Sequence, residues 1–291
     1  MNYIEITNLN KSFGKTQALK SVNFSVAQGE IFGYLGPNGA GKTTTISCLM
    51  DLIRADSGQI IVNGLDSKKD SIEIKRLVGF VPTDTYFFSN WTGSEHIEYI
   101  EKIKGKTSLK TKLIKDFDYN PKLKIHSLST GNRQKLALII AMMHAPQLLV
   151  LDEPTRGLDP LLQNVFYEYL RTLQSKGSTI FMSSHNLAEV ENICSKVAII
   201  KTGEIVEVAD VESLQDKSIY IINAAYVDKP NIDKHVLAEC KIEMVHKHDN
   251  RYEFKVAGDI NKALKLVSQN RLKEIKIAKA SLEDIFLEFY K

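Results

Sequence analysis

The sequence is poor in cysteine and shows no secretory signal. Its 291 residues include three cysteines, Cys48, Cys194 and Cys240, which lie far apart. An odd number at such spacing gives neither a disulfide framework nor a metal-ligand motif, so a reducing cytosolic setting is predicted. The first residues, MNYIEITNLNK, contain no apolar core of a signal peptide. We therefore expect a protein that is not secreted by that route.

Long apolar runs and a strong charge of either sign are also missing. The longest apolar stretch, Leu136–Leu151, is interrupted by His144, Pro146 and Gln147. No segment reaches the roughly 20 apolar residues that a membrane-spanning helix needs, so the chain is not expected to cross a membrane by itself. The net charge of +3 is small, which argues against a surface that coats nucleic acid. No nucleic-acid partner is expected.

The sequence does contain a glycine-rich loop between a strand pattern and a helix pattern. The segment GPNGAGKTT fits the phosphate-binding pattern G-x-x-x-x-G-K-[ST] at every fixed position. It follows the apolar run Ile31–Leu35 and precedes the helical pattern Thr43–Leu52, which is the context that the motif requires. The residues predicted to bind nucleotide here are Gly36, Pro37, Asn38, Gly39, Ala40, Gly41, Lys42, Thr43 and Thr44.

The fixed positions of this loop have physical reasons. Glycine at positions 36, 39 and 41 allows backbone conformations that a Cβ forbids, so that successive N–H groups turn inward. These donors meet the positive end of a helix dipole, which favours an anion. Lys42 supplies a full charge to the β- and γ-phosphates, and the Thr43 hydroxyl is suited to ligate Mg²⁺. The sequence therefore predicts a nucleoside triphosphate site.

Polar residues also follow two apolar strand patterns further along the chain. The run Leu148–Leu151 predicts a strand buried on both faces of a parallel sheet, and it delivers Asp152 and Glu153 at its carboxyl end. A second buried strand, Thr179–Met182, leads to His185. Adjacent carboxylates at a strand end are suited to serve a metal and a water molecule, one each.

A third polar segment, LSTGN at 128–132, opens a helix whose apolar residues share one face. Ser129 and Gly131 are therefore predicted at a helix N-terminus, which is a second place suited to an anion.

Two aromatic features leave alternatives open. Phe13, between the alternating strands Tyr3–Leu9 and Ala18–Val26, is suited either to stack on a nucleobase or to pack in the core. The segment Tyr86–Trp91 holds four aromatic residues in six, including the only tryptophan. Such a cluster belongs either to a core or to an exposed groove that binds a partner.

The pattern changes after about residue 214. Strands are predicted at Ile219–Ala225, Ile242–His246, Tyr252–Val256 and Leu272–Ile277, and a helix at Asn261–Val267. No catalytic motif is found in this part. A capping box at Ser281–Asp284 predicts a final helix. This part therefore reads as a small α+β module.

Together these motifs resemble the nucleotide-binding subunits of ATP-binding-cassette (ABC) transporters, over about residues 1–214. GPNGAGKTT is similar to the first nucleotide motif, LLVLDEPT at 148–155 to the second, and LSTGN to the signature LSGGQ. Gly157–Asp159 resembles the loop that links the two sites, His185 the switch histidine, and Phe13 the aromatic that stacks on adenine. The C-terminal LEDIFLEFY is similar to bacterial exporter ATPases with a separately encoded permease.

The resemblance implies an α/β fold of the P-loop NTPase (RecA-like) type. Residues 1–214 would form the ABC nucleotide-binding domain, with an inserted helical subdomain at about 84–145. Residues 215–291 would form the small accessory α+β domain. The implied activity is an ATPase that drives transport.

The resemblance also implies ATP and Mg²⁺ as the cofactors. Thr43, Asp152 and Thr83 would surround the metal. Glu153 would act as general base on the attacking water, with His185 on the γ-phosphate.

Lys42 completes the catalytic set that the resemblance implies, while Ser129 and Gly131 would contact ATP held by a second subunit. One phosphate loop and one signature in the chain mean that a complete site needs two chains, head to tail. The other partner would be an integral-membrane permease that exports a peptide, an antimicrobial or a lipid-like substrate. The protein would be cytoplasmic and peripheral on the inner face of the cell membrane. The segment Tyr86–Trp91 lies where the family receives the permease, which favours the groove.

The sequence departs from the family pattern at two places. Thr83 stands where the family has a glutamine, and the signature has Thr130 and Asn132 in place of glycine and glutamine. A threonine hydroxyl still bonds metal or water but is shorter. We expect reduced rather than absent hydrolysis.

Other ATPases and GTPases fit less well. DNA-repair and chromosome ATPases carry long coiled coils between the nucleotide motifs, yet only 110 positions separate Lys42 from Asp152 and no heptads are sustained. Translation-associated cassette proteins carry two cassettes, and no second phosphate loop occurs here. GTPase elements of the D-x-x-G and N-K-x-D types do not follow the loop. Membrane export is favoured.

Overall fold

The computed structural model of the protein describes residues 1–105, 107–215, 219–232 and 234–279. The chain divides into two compact units, Met1–Ala209 and a second that begins at Asp210. The helix predicted from the capping box at Ser281–Asp284 lies outside the described residues. Within the described ranges, no helix is long and apolar enough to cross a membrane.

The first unit alternates strands and helices. Its strands are β1 (Asn2–Phe13), β2 (Thr16–Ala27), β3 (Ile31–Leu35), β4 (Ser57–Val62), β5 (Leu65–Asp66), β6 (Val78–Val81), β7 (Leu148–Asp152), β8 (Thr179–Ser184), β9 (Lys196–Lys201) and β10 (Glu204–Asp210). Its helices are α1 (Lys42–Leu49), α2 (Ser71–Leu77), α3 (Gly93–Lys104), α4 (Lys110–Asp116), a 3-10 turn at Ile125–Ser127, α5 (Thr130–Met142), α6 (Pro160–Ser175) and α7 (Leu187–Ile193).

The central sheet has the strand order β10-β9-β3-β8-β7-β6. Strand β3 runs parallel to β8 and β9, and β7 runs parallel to β8 and β6. Every residue of β3, β7 and β8 is buried, as expected for parallel strands covered on both faces. The register pairs Leu35 with Ser184 and Asp152 with Ser183, so three strands end level at one edge.

A second, antiparallel sheet with the order β2-β1-β4-β5 packs against the central one. Phe24 of β2 contacts Phe32 and Tyr34 of β3 and Phe181 of β8, with ring centroids 5.2 to 5.7 Å apart. Aromatic pairs at such distances add about 0.5–1.5 kcal/mol each to the free energy of burial. The two sheets therefore share one aromatic core.

Helix α3 is attached to the sheet through its last residue. The Lys104 ammonium donates hydrogen bonds to the backbone oxygens of Lys75 and Arg76, and to that of Val78 at 2.9 Å. A cation at the carbonyl end of α2 is favourable because it faces the negative end of the helix dipole. Burial lowers the pKa of Lys104. The contact joins α2, α3 and β6.

The second unit is built on a sheet with the order β12-β13-β11-β14, whose neighbours are antiparallel. Its elements are α8 (Val211–Gln215), β11 (Tyr220–Tyr226), α9 (Lys234–Glu239), β12 (Ile242–His248), β13 (Arg251–Val256), α10 (Ile260–Val267) and β14 (Leu272–Lys279). One face of the sheet packs with α9 and α10 in an apolar core that includes Ile222, Ala224, Tyr226, Leu237, Tyr252, Phe254, Ala263 and Val267.

The mixed α/β architecture predicted from the sequence is confirmed. The predicted strand pair at Tyr3–Leu9 and Ala18–Val26 lies within β1 and β2, which are antiparallel. The helix predicted at Thr43–Leu52 begins one residue earlier and ends at Leu49. Pro160 is the first residue of α6, where its fixed φ suits a first helical turn, and Asp159 caps that helix by accepting a hydrogen bond from the Leu162 N–H at 3.0 Å.

We expect Gly79→Ala to destabilise the first unit. An ideal Cβ at Gly79 of β6 would lie 2.1 Å from the backbone oxygen of Ala141 in α5. Overpacking of this kind costs about 2–3 kcal/mol of unfolding free energy, or roughly 5–10 °C in the unfolding temperature. Thermal unfolding of the full chain measures the effect.

Gly14→Ala is the matched control for this prediction. A Cβ at Gly14 meets nothing within 4 Å, and only the φ of +59° opposes it, at a cost of about 1 kcal/mol. Equal decreases of the unfolding temperature in the two variants would contradict the close packing of α5 on β6.

Candidate active site

The glycine-rich loop begins where the buried strand β3 ends. A Cβ at Gly36 would lie 2.5 Å from the backbone oxygen of Ile200, and one at Gly41 would lie 2.8 Å from that of Ala18. Gly39 and Gly41 also have φ values of +81° and +111°, which favour glycine. The loop can therefore follow this path only with glycine at these positions.

Lys42 is the first residue of α1 and is 4% exposed. Its ammonium donates hydrogen bonds to the backbone oxygens of Gly36 at 2.6 Å and Pro37 at 3.2 Å. It also forms an ion pair with Glu153 Oε1 at 3.1 Å. The loop thus wraps a buried positive charge at a helix N-terminus, the combination that binds phosphate.

A cavity of about 180 Å³ opens beside this loop. It is lined by Ala18, Pro37, Asn38, Gly39, Gly41, Lys42, Thr43, Thr44, Thr83 and Glu153. The structure therefore gathers loop residues predicted to bind nucleotide around one space, together with one carboxylate and the Thr83 hydroxyl.

One hydroxyl holds the Asp152 carboxylate and the backbone of Glu153 at the end of β7. Asp152 is 1% exposed. The Ser183 hydroxyl donates to Asp152 Oδ1 and accepts a hydrogen bond from the Glu153 N–H at 3.1 Å. Ser183 lies opposite Asp152 in the parallel register, so the sheet itself brings the three residues together.

Glu153 has a backbone conformation that is unusual for its residue type. Its φ is +52°, in the left-handed region, and such non-glycine residues concentrate at functional sites. One carboxylate oxygen, Oε1, pairs with Lys42, and the other, Oε2, bonds with Nδ1 of His185. His185 itself is 59% exposed at its side chain. Glu153 is therefore held between a lysine of the phosphate loop and the predicted switch histidine.

Three oxygen groups converge near this pair. The Thr83 hydroxyl donates to Asp152 Oδ2 at 2.5 Å and lies 3.4 Å from the Thr43 hydroxyl. A set of one carboxylate and two hydroxyls matches the hard oxygen ligands that Mg²⁺ prefers, with phosphate and water completing the shell. Among the described residues, no group of three histidine, cysteine or acidic side chains is arranged to hold a metal by itself. The residues fit Mg²⁺ bound together with a nucleotide.

Phe13 ends β1 at the surface. Its side chain is 52% exposed, and the Lys11 ammonium lies 5.4 Å from the ring centroid. Lys11 is in turn paired with Asp56 at 3.0 Å. The core interpretation of Phe13 is therefore wrong, and the ring is available to stack on a base.

Ser129 and Gly131 lie apart from the phosphate loop. Ser129 caps α5 by accepting a hydrogen bond from the Asn132 N–H at 3.3 Å, and it is exposed. A Cβ at Gly131 would lie 2.8 Å from the backbone oxygen of Gly157. No hydrogen bond found among the described residues connects either position with residues 36–44 of the same chain.

Helix α5 is also attached to the loop that follows Glu153. The side-chain amide of Gln134, 7% exposed, donates to the backbone oxygen of Pro154 at 2.7 Å. Neither Gln134 nor Ser183 stood out in the sequence. Ser183 could have been found by aligning the ends of the two buried strands, whereas Gln134 carries no comparable signal.

Known proteins are similar to this chain in sequence and in fold. The "ABC transporter" family model matches residues 19–156. The linearmycin resistance ATP-binding protein LnrL of Bacillus subtilis (strain 168) is 35% identical over 212 residues, covering 70% of this chain and 68% of that protein. The bacitracin transport ATP-binding protein BcrA of Bacillus licheniformis is 33% identical over 299 residues, covering 98% and 95%. The chain belongs to the ABC transporter family.

A solved structure supports the fold of this ABC subunit. The structure described as the ATP binding subunit of an ABC transporter has a TM-score of 0.68 and 26% identity, covering 73% of this chain and 92% of that one. The resemblance and the P-loop NTPase fold predicted from the sequence are confirmed. As a member of this family, the chain is an ATP-binding subunit and an ATPase.

We expect Glu153→Gln to tighten ATP binding about three- to tenfold, or about 1 kcal/mol. The phosphates must compete with Glu153 for the Lys42 ammonium, because the two charges form a largely buried pair at 3.1 Å. The amide removes the competing charge. Equilibrium binding of a non-hydrolysable ATP analogue to the full chain measures the change.

Asp84→Asn is the control, since it removes one negative charge from an exposed pair with Arg156 at 3.7 Å. Equal tightening in the two variants would indicate a general charge effect and contradict direct competition for Lys42.

Proposed function

We propose that this ABC subunit powers the export of a peptide, an antimicrobial or a lipid-like substrate through a separate membrane permease. The observation that carries the proposal is the half-site made by Lys42, Asp152 and Glu153. The start of the signature helix is exposed at Ser129, and none of the hydrogen bonds found among the described residues connects Ser129 with the phosphate loop. The choice of substrate class is supported by the relatives, whose names describe bacitracin transport and linearmycin resistance.

The proposed ATP site is shared by two subunits. One chain supplies the phosphate loop, the carboxylates and the ring of Phe13. Ser129 and Gly131, at the N-terminus of α5, supply backbone donors to the ATP held by the other chain. The exposure of Ser129 supports this arrangement, because a surface helix start is free to meet a partner's anion. The second subunit is an identical chain or a related one.

The phosphate loop binds the triphosphate in this proposal. The N–H groups of Gly39, Gly41 and the first turn of α1 cradle the phosphates, and Lys42 exchanges its pair with Glu153 for the β- and γ-phosphate oxygens. This exchange leaves the Glu153 carboxylate with a free oxygen close to the γ-phosphate.

Mg²⁺, held by Thr43, Asp152 and Thr83, would neutralise charge on the phosphates. Thr83 would contact Mg²⁺ in place of the family's glutamine. Its side chain is shorter, which is consistent with slower turnover.

Glu153 takes a proton from the attacking water as the water oxygen forms its bond to the γ-phosphorus and the bond to the leaving ADP oxygen breaks. His185 orients this carboxylate through Oε2 and hydrogen-bonds the γ-phosphate. Removal of the γ-phosphate releases the second subunit, which is the step that drives the permease.

The permease surface is proposed around the aromatic cluster defined by Tyr86, Phe88, Trp91 and Tyr99. Tyr86 is 92% exposed and Phe88 is 60% exposed. Trp91 packs 4.7 Å from Phe88 and 5.7 Å from Tyr99, measured between ring centroids. Exposed aromatics held in place by neighbours are typical of interface hot spots.

Helix α3 connects this cluster with an apolar cavity of about 270 Å³. The Phe88 N–H donates to His96 Nε2 at 3.0 Å, so the aromatic loop is attached to α3. Ile100 and Lys104 of the same helix line the cavity, together with Leu52 and Phe80. An apolar groove beside exposed aromatics suits a short amphipathic helix of the permease.

We place the subunit on the cytoplasmic, inner face of the cell membrane, where the permease would hold it. The division into an ABC domain at 1–214, with a helical subdomain at about 84–145, and an accessory domain at 215–291 is part of the same proposal.

The first test is a pull-down from native membranes with tagged Glu153→Gln chain and ATP. Removing the proposed base while keeping the fold should trap the closed pair of subunits, so a multi-span permease should be recovered. Adding Trp91→Ala should reduce permease recovery at least about fivefold, the loss of an interface hot spot, while ATP binding is unchanged.

Leu161→Ala, which truncates an apolar side chain that is 80% exposed on α6, is the control for that pull-down. Unchanged recovery with Trp91→Ala would contradict the aromatic surface. Recovery of water-soluble partners alone would contradict the transporter.

We expect measurable ATP turnover in the natural chain and about a tenfold lower kcat in Thr83→Ala. The Thr83 hydroxyl orients Asp152, so its loss should also raise the Mg²⁺ concentration for half-maximal rate. Thr83→Ser should restore both values, and Thr85→Ala should change neither. No detectable turnover with the permease present would refute reduced hydrolysis, and an unaffected Thr83→Ala would refute the role of this hydroxyl.

A further inference from the structure

A buried carboxylate next to the proposed hydrolytic pair has no role in the mechanism above. Glu189 lies on α7, four positions after His185, and is 3% exposed. Burying a carboxylate is costly unless hydrogen bonds compensate it. Its place in the core therefore requires a structural reason.

The hydrogen bonds of Glu189 lead to the turn that carries His185. The Ser184 hydroxyl donates to Glu189 Oε2 at 2.6 Å and accepts a hydrogen bond from the Asn186 N–H at 2.8 Å. A serine hydroxyl has one proton, and a carboxylate only accepts. The hydroxyl also lies 3.2 Å from a second acceptor, the Asn186 backbone oxygen. The shorter contact with Glu189 directs the proton to the carboxylate, which leaves a lone pair of the hydroxyl for the Asn186 N–H.

The backbone of Ser184 faces the phosphate loop. Its carbonyl oxygen accepts a hydrogen bond from the Gly36 N–H at 3.3 Å, and Ser184 lies opposite Leu35 in the parallel register. Ser184 is 1% exposed. One buried residue thus connects the first glycine of the loop with the His185 turn, and Glu189 holds its side chain.

The surroundings of Glu189 are tightly packed. Burial raises the pKa of Glu189, while the hydrogen bond from Ser184 lowers it. Burial also raises the pKa of Tyr167 and of Cys194, and the Glu189 carboxylate raises both further. On the far side, Cys194 packs so closely on β3 that a Cβ at position 33 would lie 3.0 Å from its Sγ.

We propose that Glu189 is a positioning residue for hydrolysis, which holds the His185 turn within reach of Glu153 through the Ser184 hydroxyl. The inference rests on the proposed roles of Glu153 and His185. It explains why a carboxyl group is buried at this point of α7: its Oε2 accepts the Ser184 proton and so holds the hydroxyl in one orientation.

The test compares kcat with nucleotide affinity in the full chain. Glu189→Ala should lower kcat about tenfold, the scale expected for a misplaced catalytic group, and should leave the affinity for a non-hydrolysable ATP analogue within about twofold. Glu189→Gln should recover kcat to within about threefold of the natural chain, since its amide oxygen still accepts the Ser184 proton. Glu168→Ala, an exposed carboxylate on α6, is the control and should change neither quantity.

Ser184→Ala provides a second variant that does not depend on how Glu189→Ala folds. It should lower kcat as Glu189→Ala does, and the double variant should be no slower than either single one, because both remove the same link. Unchanged kcat in either single variant, kcat losses that multiply in the double variant, or a Glu189→Gln variant as slow as Glu189→Ala would overturn the inference.

Glu153→Gln and His185→Ala are measured alongside these variants. If both lose turnover while the Glu189 variants keep it, only the positioning role fails. If both keep the natural kcat, the proposed roles of Glu153 and His185 fail, and the inference fails with them.

Discussion

The parallel register of β3, β8 and β7 is the constraint on which the site depends. It sets Leu35 level with Ser184 and Asp152 level with Ser183. The phosphate loop, the switch turn and the carboxylates therefore leave the sheet at one height. A slip of a single residue would turn the Ser183 hydroxyl to the opposite face, because successive side chains of a strand alternate. The hydrogen bonds that hold Asp152 and the Glu153 backbone would then be lost together.

At this edge of the sheet, the Glu153 carboxylate lies between the Lys42 ammonium and the His185 imidazole. Lys42 reaches one oxygen from the phosphate loop, and His185 reaches the other from the turn after β8. In the proposed mechanism, a ligand that binds the Lys42 ammonium removes a positive charge from the side of the Glu153 carboxylate. The Glu153 side chain thus connects the phosphate loop, which carries Lys42, with the turn that carries His185.

The sequence predicted most of this arrangement because its signals are local. The glycines, Lys42 and the carboxylates after an apolar run specify a loop and a strand end by themselves. The supporting residues could not be predicted in the same way. Ser183 and Gln134 act through contacts between segments distant in the chain. Glu189 acts through a nearby serine, but a serine or glutamate in isolation favours no particular partner.

The exposure of a side chain decides between interpretations that the sequence pattern leaves open. Phe13 was suited equally to core and surface, since an aromatic ring has the same sequence signal in both. Only the packing of β1 and β2 settles its exposure, and exposure is a property of the whole fold. Element ends were approximate for a related reason: α1 ends at Leu49 rather than at residue 52, because the periodic pattern does not mark its last turn.

The close approach of Gly131 to Gly157 has a mechanical consequence. The two backbones are in contact there because neither glycine has a side chain. The Gln134 side chain also hydrogen-bonds the Pro154 backbone oxygen from the same helix. We therefore expect a displacement of the loop after Glu153 to move the signature helix as well. In a pair of such subunits, a movement of α5 that starts at the ATP site of one chain would displace the signature residues that contact the ATP of the other chain. If the proposed pair of subunits forms, this connection predicts that its two sites bind ATP cooperatively.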